Sequence, residues 1–412
     1  MTDAPAPRAF EALRVPGFGI FVSTFMLTMM ADNVEHVISY WVVFQKFHSP
    51  ALGGFAVVSH WLPFLLFSVA VGGLNDRIDS RRLIQIGAVL FAMVSLGWGY
   101  LFITDTLEVW HAMVLLVIHG CAGVFWITSS QMLLYDIVGP SNLASAVRIN
   151  ATARYLGVLV GPAVGSLIMR TLGPTRGMFL NAAIYLPLII WLIRAPYGRA
   201  FRGDAPGPSR PVRGIGDIAE TIGDVRKVPV LSSMILLAGA ASFFIGNSYQ
   251  AQMPGFAGDL GHGDPGAAYT ALLGADAAGA LVAGFLLESG RRIANVRVSS
   301  AIGLAAFWAV SLGCFALTRS YPIALVLLFI AGFCELSFSS MNQTIVQMLA
   351  PTAIRGRVLG LFNMSSAGLR TFSGITVGLL GSVITVHLSL AIAAGAFVVT
   401  AFALYRFTAR SS

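Results

Sequence analysis

Repeated apolar runs constrain this chain more than any other feature, because each is close to the roughly 20 residues that cross a bilayer as an α-helix. Twelve candidate runs follow one another, at about residues 18–47, 51–73, 83–104, 109–135, 148–169, 177–194, 229–254, 266–287, 298–317, 322–347, 358–384 and 387–407. Only 11% of the 412 residues are charged, less than half the ~25% usual in soluble domains. The sequence therefore excludes a water-soluble fold and predicts an all-α membrane protein with twelve transmembrane helices.

The basic residues indicate how the predicted spans are oriented. Most of the 26 Lys and Arg residues fall on the side of the N-terminus, in the segments that join alternate spans. The positive-inside rule then predicts a multi-pass protein of the inner (cytoplasmic) membrane with both termini in the cytoplasm. The net charge of +8 follows from this bias, so we expect no nucleic-acid partner.

Motifs that bind metals, cofactors or nucleotides are missing from the sequence. Cys121, Cys314 and Cys334 lie in apolar runs without paired spacing, which predicts neither a disulfide framework nor a zinc site. The sequence contains no HExxH, GxSxG or GxxxxGK(S/T) motif. We therefore expect no enzyme activity, no cofactor and no ATP-driven pumping.

One long connection divides the predicted spans into two sets of six. It runs from Ala195 to Val228 and contains a Pro- and Gly-rich stretch followed by an amphipathic one, IGDIAETIGDVRKV. We predict an N-terminal six-helix half over 1–195, a cytoplasmic linker with a short amphipathic helix over 196–228, and a C-terminal six-helix half over 229–412.

The two predicted halves carry related sequence landmarks. GGLNDRIDSRR follows span two and GFLLESGRR follows span eight, so that Gly72 aligns with Gly284 and Asp76 with Glu288. A second pair, PSNLASAV and PTAIRGRV, follows spans four and ten at nearly the same offset. A repeat of six parallel spans predicts two pseudo-symmetric halves with a site between them, near the middle of the membrane.

These landmarks resemble those of the major facilitator superfamily, and the resemblance covers essentially the whole chain. GGLNDRIDSRR is similar to the superfamily's cytoplasmic signature, in which a Gly allows close helix packing and an Asp pairs with basic residues. Asp79 stands where many members have Gly. With LRVPGFGIF and RKVPVL, this departure is more similar to enterobactin exporters and macrolide-efflux proteins than to sugar porters. The resemblance implies a conformational latch formed by Gly72, Asp76, Arg77, Arg81 and Glu288.

Span five contains a second motif, GVLVGPAVGS, with Gly157, Gly161, Pro162 and Gly165 at its key positions. It resembles the GxxxGPxxGG motif of exporters that exchange substrate for protons, although Ser166 replaces the last Gly. Small residues every four positions let another helix approach closely, and Pro162 bends the span by removing a backbone hydrogen bond. The resemblance favours export over import, and helix packing alone is the other interpretation.

Ionisable residues deep in the spans are the sharpest functional signal in the sequence. A charge at the centre of a bilayer helix costs about 2.5–3.5 kcal/mol, so each such residue needs a partner or a function. Spans three, six, nine and twelve have none at depth, and the resemblance implies that these four are outer supports. The deep residues are Asp32, Glu35, His36, His60, His119, Arg154, Asp276, Glu335 and Arg370.

Asp32, Glu35 and His36 lie at positions i, i+3 and i+4, so they share one helical face in span one. Two carboxylates that close cannot both ionise cheaply in a membrane, so one of them should hold a proton near neutral pH. Such a group suits a proton-coupled carrier, with His36 as a relay. The alternatives are an internal ion pair of Asp32 or Glu35 with Arg370, and metal ligation.

Asp276 and Glu335 are the two deep acids of the second half. Asp276 has only Ala and Gly neighbours along its helix, so its partner must come from another span, and Arg370 and His60 are the candidates. Glu335 lies in a span rich in small and polar residues, which suits a helix that lines a cavity. A proton site, a substrate contact and a structural pair all remain open for both acids. The predicted proton-coupling set is Asp32, Glu35, His36, Asp276, Glu335 and Arg370.

The remaining candidates are polar and aromatic residues that can contact a substrate. Asn247, Tyr249 and Gln250 bring amides and a hydroxyl to the outer half of span seven, and Trp126 can contribute to an aromatic wall. We predict that these four residues and His60 bind substrate. For His60 and for the lone His119, a hydrogen-bonded core histidine is the other interpretation, and Arg154 is expected to be structural.

Three functions are compatible with these features. The first is a proton-coupled exporter of a small hydrophobic or amphiphilic compound, a drug or a siderophore, that works by alternating access. The second is a divalent metal-ion exporter, and the third is a membrane-embedded sensor or enzyme that has kept a transporter fold. We expect a monomer whose partners are its small-molecule substrate, protons and the lipid bilayer. The ligands of the metal-exporter alternative would be Asp32, Glu35, His36, His60 and Glu335.

Overall fold

A computed structural model describes residues 9–198, 201, 214, 216–246, 248–261, 267–289, 296–373 and 380–411. Its α-helices are α1 Phe18–Phe47, α2 Pro50–Asn75, α3 Ser80–Ile103, α4 Val109–Ile184, α5 Leu186–Arg194, α6 Gly216–Val225, α7 Pro229–Phe244, α8 Ser248–Ala251, α9 Met253–Asp259, α10 Ala267–Ser289, α11 Val298–Leu317, α12 Tyr321–Leu349, α13 Arg355–Asn363, α14 Arg370–Ser373, α15 Leu380–Val383 and α16 Val386–Ser411. Short 3₁₀ helices at Glu11–Arg14 and Thr352–Ile354 and a π-helix at Met364–Gly368 complete these ranges.

Seven of the helical stretches in the described residues are long and apolar enough to cross a membrane. One of them, Val109–Arg194, has 86 residues and is far longer than a single crossing requires. Gly139 and Gly173 interrupt it with φ values of +67° and +78°, and Pro140 and Pro174 directly after them begin new helical segments. The stretch therefore supplies spans four, five and six.

Two spans differ from the continuous helices that the apolar pattern predicts. Span seven ends its first helix at Phe244, because Gly246 has a φ of +52° and turns the chain before α8 and α9. Span eleven begins at Arg355 and passes through the π-helix Met364–Gly368 before α14. Neither break interrupts an apolar run, so periodicity gives no sign of it.

We refer to α1–α5 as the N-terminal half and to α7–α16 as the C-terminal half. In the first, α4 packs against α1, α2 and α3, and in the second α12 packs against α10 and α11. Buried aromatic and aliphatic side chains fill each group, with Trp98 and Trp126 in one and Trp308 in the other. The amphipathic helix expected before span seven is α6, and its buried Asp217 lies 3.4 Å from Arg357 of α13.

Glycines let helices of opposite halves approach backbone to backbone. A Cβ atom at Gly72 of α2 would overlap the carbonyl of Gly356, and one at Gly360 of α13 would overlap that of Ser68. Gly284 of α10 leaves room for the side chain of Thr152 of α4. Close approach at small residues is how membrane helices gain packing energy where lipid offers no hydrophobic drive.

These inter-half contacts lie at the end of the bundle that carries Arg77, Arg148, Arg355 and Arg357, here called the basic end. At this end the guanidinium of Arg355 stacks 3.8 Å above the ring of Tyr135, which belongs to the other half. In the described ranges, the hydrogen bonds and ion pairs that join the halves lie at this end or just inside it. The halves are therefore closed against each other at the basic end.

The packing of α10 against α12 yields a stability prediction. A Cβ at Gly332 would overlap the backbone carbonyl of Asp276, so Gly332→Ala should lower the free energy of unfolding by about 1–3 kcal/mol. Gly303→Ala is the matched control, because no atom lies within 4 Å of the Cβ position at Gly303. Thermal unfolding in detergent measures both variants. Equal melting temperatures for the two would contradict the close α10–α12 contact.

Candidate functional site

The first polar cluster joins α1 to α4 through a buried histidine. His119 places Nε2 2.8 Å from Oδ1 of Asp32 and Nδ1 2.7 Å from Oε1 of Glu35. All three side chains are buried, and we call them the His119 triad. Glu35 also accepts a hydrogen bond from the hydroxyl of Ser95, whose oxygen accepts one from Asn181 at 3.1 Å. Helices α1 and α3 and the fourth and sixth spans of α4 thus contribute to the hydrogen bonds around Glu35.

Counting protons shows what the triad needs chemically. Each of its two short N···O contacts requires one proton between the nitrogen and the oxygen. A neutral imidazole supplies a single N–H, so the second contact needs a further proton on the ring or on a carboxylate. Two carboxylates contribute −2 and this proton +1, so the hydrogen-bonded triad carries −1. The two hydrogen bonds of the triad thus require one proton more than a neutral histidine supplies.

Two further histidines adjoin the triad. His36 Nδ1 lies 3.8 Å from Oδ2 of Asp32, and the ring centroid of His36 lies 4.8 Å from that of His119 and 5.0 Å from that of His60. In the described part of the chain, His36 Nε2 and His60 Nδ1 are buried without a hydrogen-bond partner. Helices α1, α2 and α4 each contribute one histidine to this group, which we call the histidine cluster.

The second polar cluster belongs to the C-terminal half. The Tyr249 hydroxyl lies 3.1 Å from Oδ2 of Asp276 and 3.4 Å from Oε2 of Glu335. Gln250 donates to the same Asp276 oxygen at 3.1 Å. Since one hydroxyl can donate to only one of the two acids at a time, the cluster leaves hydrogen-bonding capacity unused, including Asp276 Oδ1.

Arg370 does not pair with the acids that sequence analysis suggested as its partners, namely Asp32, Glu35 and Asp276. Its Nε donates to the Ser366 carbonyl at 3.2 Å, and its guanidinium stacks 5.0 Å above Trp61. The alternative of an ion pair between Arg370 and Asp32 or Glu35 is not what the structure shows, because His119 pairs with both acids. Arg370 and His60 were the candidate partners of Asp276, but Tyr249 and Gln250 form its hydrogen bonds instead. Both come from the broken end of span seven.

A cavity lined almost entirely by the C-terminal half lies beside the second cluster. Glu335 from α12 and Arg370 from α14 line it, and Arg154 from α4 is the lining residue that the N-terminal half contributes. Arg154 therefore faces the interface between the halves and stacks 5.2 Å from the ring of Tyr155. Two arginines and one acid give this cavity a polar, charged wall, surrounded by Trp308, Phe338 and Phe362.

The structure brings some of the other predicted substrate and metal residues into the two polar clusters and leaves others outside them. His60 belongs to the histidine cluster, and Tyr249 and Gln250 belong to the second cluster. Trp126 is 1% exposed and stacks 4.7 Å from Phe25, so it is a core residue and does not line the cavity. Asn247 lies outside the described residues. Glu335 belongs to the second cluster, so the five metal ligands expected for an exporter of metal ions do not come together.

Asp76 forms one of two links between the halves at the basic end. Its Oδ1 accepts a 2.6 Å hydrogen bond from the backbone N–H of Gly356, and its Oδ2 accepts a 3.3 Å one from that of Arg357. The carboxylate thus caps the first turn of α13, where it also meets the positive end of the helix dipole.

Glu288 forms the pseudo-symmetric link. Its carboxylate accepts a 2.8 Å hydrogen bond from Nε of Arg148 and another from the hydroxyl of Ser145, both on α4. Just inside these links, the amides of Gln131 and Asn363 donate to each other across the halves at 3.0 and 3.1 Å. The sequence aligns Asp76 with Glu288, and the structure gives each acid partners in the other half, backbone N–H groups for Asp76 and side chains for Glu288.

The two predicted latch arginines do not join the halves. Arg81 is held by Asp79 at 2.9–3.0 Å and donates to the Ala195 carbonyl at 2.5 Å, all within the N-terminal half. Arg77 is exposed. Arg81 thus fixes the end of α5 against the start of α3.

The glycines of the span-five motif pack directly against α1. A Cβ at Gly157 would crowd Met29, one at Gly161 would overlap Asn33, and one at Gly165 would crowd Val34. Asn33 and Val34 lie between Asp32 and Glu35 in the sequence, so the motif seats the segment of α1 that carries the triad acids. Pro162 lies within the same helical segment.

Sequence reasoning missed three members of the site, namely His119, Ser95 and Asn181. His119 was visible as the lone ionisable residue in span four, but its distance to span one depends on how the two helices rotate. Ser95 and Asn181 lie in spans three and six, which carry no deep ionisable residue. The criterion of buried charge therefore could not identify them.

Comparison with known families decides what kind of protein carries these clusters. The profile described as Major Facilitator Superfamily matches residues 18–374, which include the triad, the second cluster and both inter-half links. The chain belongs to the major facilitator superfamily. The predicted family and the all-α transmembrane fold are thereby confirmed, and membership makes the chain a multi-pass membrane transporter of small molecules rather than an enzyme.

Two mycobacterial relatives within the superfamily are named multidrug efflux pump Tap. That of Mycobacterium tuberculosis is 25% identical over 362 residues, which cover 84% of this chain and 83% of the relative. That of Mycolicibacterium fortuitum is 24% identical over 349 residues, which cover 81% of this chain and 82% of the relative.

Solved superfamily structures share the fold at low sequence identity. The human organic anion transporter MFSD10 superposes with a TM-score of 0.73 at 14% identity, covering 94% of this chain and 100% of that one. A variant of the E. coli fucose:proton symporter FucP superposes with a TM-score of 0.70 at 15% identity, covering 97% and 99%. At these identities the likeness shows the fold alone.

The inter-half link through Asp76 gives the first prediction from the site. Asp76→Asn removes the charge from hydrogen bonds worth about 1.5–3 kcal/mol, so the state closed at the basic end should become about tenfold or more less favoured. Spin labels at Arg82→Cys and Arg297→Cys, at the basic ends of α3 and α11, report the separation by pulsed electron resonance. The variant should show a new, longer distance.

Two variants serve as comparisons for this measurement. Glu288→Gln, in the pseudo-symmetric link, should lengthen the distance in the same way. Asp105→Asn should not, because Asp105 is exposed at the opposite end, where a hydrogen bond from Lys46 holds its pKa below the usual value. An unchanged distance distribution in both link variants would contradict the latch.

A second prediction concerns the His119 triad. His119→Ala leaves two buried carboxylates without a shared partner and should lower the free energy of unfolding by about 3–5 kcal/mol. Adding Glu35→Gln should recover part of this loss, because only one of the two acids then remains. Thermal unfolding of the single and double variants measures the coupling, with His111→Ala as the control histidine outside the cluster. A wild-type melting temperature for His119→Ala would refute the bridging role.

Proposed function

We propose that this chain is a secondary active transporter that exports a small hydrophobic or amphiphilic compound, a drug or a siderophore, in exchange for protons. The observation that carries the proposal is the His119 triad, a buried group of three ionisable side chains whose hydrogen bonds require one extra proton. A proton-coupled carrier needs a site of this kind, which is loaded on one side of the membrane and emptied on the other.

Loss of the shared proton would change the triad mechanically as well as electrically. Without it, an unprotonated ring nitrogen of His119 would face a carboxylate oxygen at under 3 Å, and two negative charges would remain in a low-dielectric site. The contact would no longer be attractive, so the link between α1 and span four would be lost. Because the span-five glycines pack against the same part of α1, its movement would be transmitted to span five as well.

The arrangement of the two halves supports a direction for the cycle. We assign the basic end and both termini to the cytoplasm of the inner membrane, following the positive-inside rule. The structure is then the state closed to the cytoplasm, with the two acidic links joined. A protonated triad in this state fits an exporter, which takes up protons after it has released its substrate outside and gives them up inside.

The second cluster and the cavity beside it suit an amphiphilic substrate. Arg154, Glu335 and Arg370 offer charged groups for the polar part of a substrate, and Trp308, Phe338 and Phe362 offer apolar surface for the rest. Asp276 and Glu335 share one tyrosine hydroxyl, so one of them is free to take a second proton or a substrate donor. Similarity to the mycobacterial multidrug efflux pumps supports export of such compounds.

The remaining features of the proposal concern organisation. We propose that residues 1–195 and 229–412 are the two six-helix halves that rock around the central cavity, joined by the cytoplasmic linker 196–228. Helices of a single chain form both polar clusters, so neither needs a second copy. This fits a monomer, the usual state in this superfamily.

The decisive variants are those of the triad acids. Asp32→Asn and Glu35→Gln each keep the side-chain shape but leave the triad one ionisable carboxyl short, so pH-gradient-driven efflux of ethidium from proteoliposomes should fall to the level of protein-free vesicles. Both variants should remain folded and still bind ethidium in detergent.

Asp105→Asn is the matched control and should transport at the wild-type rate, since Asp105 is exposed and pairs only with Lys46 among the described residues. Normal gradient-driven efflux in both triad variants would show that the acids are structural and would refute proton coupling at this site.

A further inference from the structure

The histidine cluster has a geometry that proton exchange alone does not explain. One ring nitrogen each of His36, His60 and His119 can be chosen so that all three lie within 4.8 Å of one another. The three residues come from three different helices, so no local sequence spacing forces them together. Three imidazoles that converge in this way form a set of ligands with a common focus.

Two of the converging rings lack partners. His36 Nε2 and His60 Nδ1 are buried and accept or donate no hydrogen bond in the part of the chain that the structure describes. Buried polar atoms are nearly always satisfied in native proteins, and an exception calls for a bound water, an ion or a function. Here the two exceptions lie in neighbouring rings, 5.0 Å apart between centroids.

The third ring is already oriented as a ligand would be. His119 directs Nδ1 to the carboxylate of Glu35 at 2.7 Å, which leaves Nε2 directed toward Asp32. A carboxylate behind a histidine is the common arrangement at metal sites, where it fixes the ring and raises its basicity. Asp32 adds an oxygen ligand on the open side, with its Oδ2 3.8 Å from His36.

The donor set selects the class of ion. Three imidazole nitrogens and one carboxylate oxygen suit a borderline divalent ion such as Zn²⁺, whereas Mg²⁺ and Ca²⁺ prefer oxygen ligands alone. Adjacent ligands around a tetrahedral zinc ion are about 3.3 Å apart, so the histidines would need to close by about 1.5 Å at most. Rotation of the His36 and His60 side chains would supply this movement. It would break no hydrogen bond at His36 Nε2 or His60 Nδ1, because neither atom has one among the described residues.

We propose that His36, His60 and His119, with Asp32 as the fourth ligand, form a binding site for a divalent transition-metal ion of the zinc class. Glu35 holds His119 in position from behind. The ion and the hydrogen bond from His119 to Asp32 exclude each other, since both use the same ring nitrogen. A bound ion would therefore replace the hydrogen bond between His119 and Asp32.

Cobalt absorption tests the site on the purified full-length transporter in detergent. Cys121, Cys314 and Cys334 are first replaced by Ser, so that no thiolate contributes, and the protein is stripped with a chelator. Titration with Co²⁺ should produce the intense visible bands of a four-coordinate site at one ion per chain, and Zn²⁺ but not Mg²⁺ should abolish them.

Substitutions locate the ion. His60→Gln and His36→Gln should each weaken Zn²⁺ binding, measured by calorimetry, at least ~10-fold, as loss of a ligand does. His48→Asn is the matched control, because His48 is an exposed histidine with a φ of +47°, a conformation that Asn tolerates. Melting temperatures of all three variants show whether each is folded, and the two ligand variants serve as replacements for each other if one is not.

Absence of visible bands, or Zn²⁺ affinity in His36→Gln and His60→Gln equal to that of the control, would overturn the proposal. Binding is measured without a pH gradient or a transported dye. Its failure would therefore leave the proposed proton exchange untouched, and a failed efflux assay would leave the metal site untouched.

Discussion

The energetic cost of an ionisable group buried in a membrane protein without a partner organises this transporter. Asp32 and Glu35 are buried on one face of α1, and a single histidine from α4 satisfies both of them. In the other half, Asp276 and Glu335 share the hydroxyl of Tyr249. Each half thus pairs two acids with one hydrogen-bonding group from a different helix. Any change in protonation must then change how helices are held together, which is the physical basis for coupling a proton to a movement.

Glycines supply the second requirement, which is that the helices carrying these groups can lie close enough to interact. The span-five glycines bring α4 against the acidic stretch of α1, and Gly72 and Gly356 bring α2 against α13. At the same interface Asp76 caps α13, and Glu288 binds Arg148 in the corresponding position of the repeat. Close backbone packing holds the halves in register, and the two acids make that packing depend on a few hydrogen bonds that can be broken.

Much of this structure could be predicted from the sequence, because its determinants are local. The length of the apolar runs predicts the spans, and the offset of GGLNDRIDSRR and GFLLESGRR predicts the repeat. The energetic cost of burying a charge in a membrane identifies Asp32, Glu35, Asp276 and Glu335 as important. Pairing across helices could not be predicted, because it depends on helix rotation and on breaks that apolar periodicity does not record. His119 rather than Arg370 therefore reaches the acids of α1, Tyr249 reaches Asp276 only because span seven breaks at Gly246, and Trp126 turns into the core.

Proton release on substrate binding is the most direct measurement of proton sharing in the triad. Ethidium is added to the purified transporter in weakly buffered detergent, and a pH indicator records the protons released. A triad that holds one exchangeable proton should release protons as ethidium binds, and Asp32→Asn and Glu35→Gln should bind the dye without this release. Ethidium binding without any proton release by the wild type, or equal release by both variants, would contradict the role of the triad.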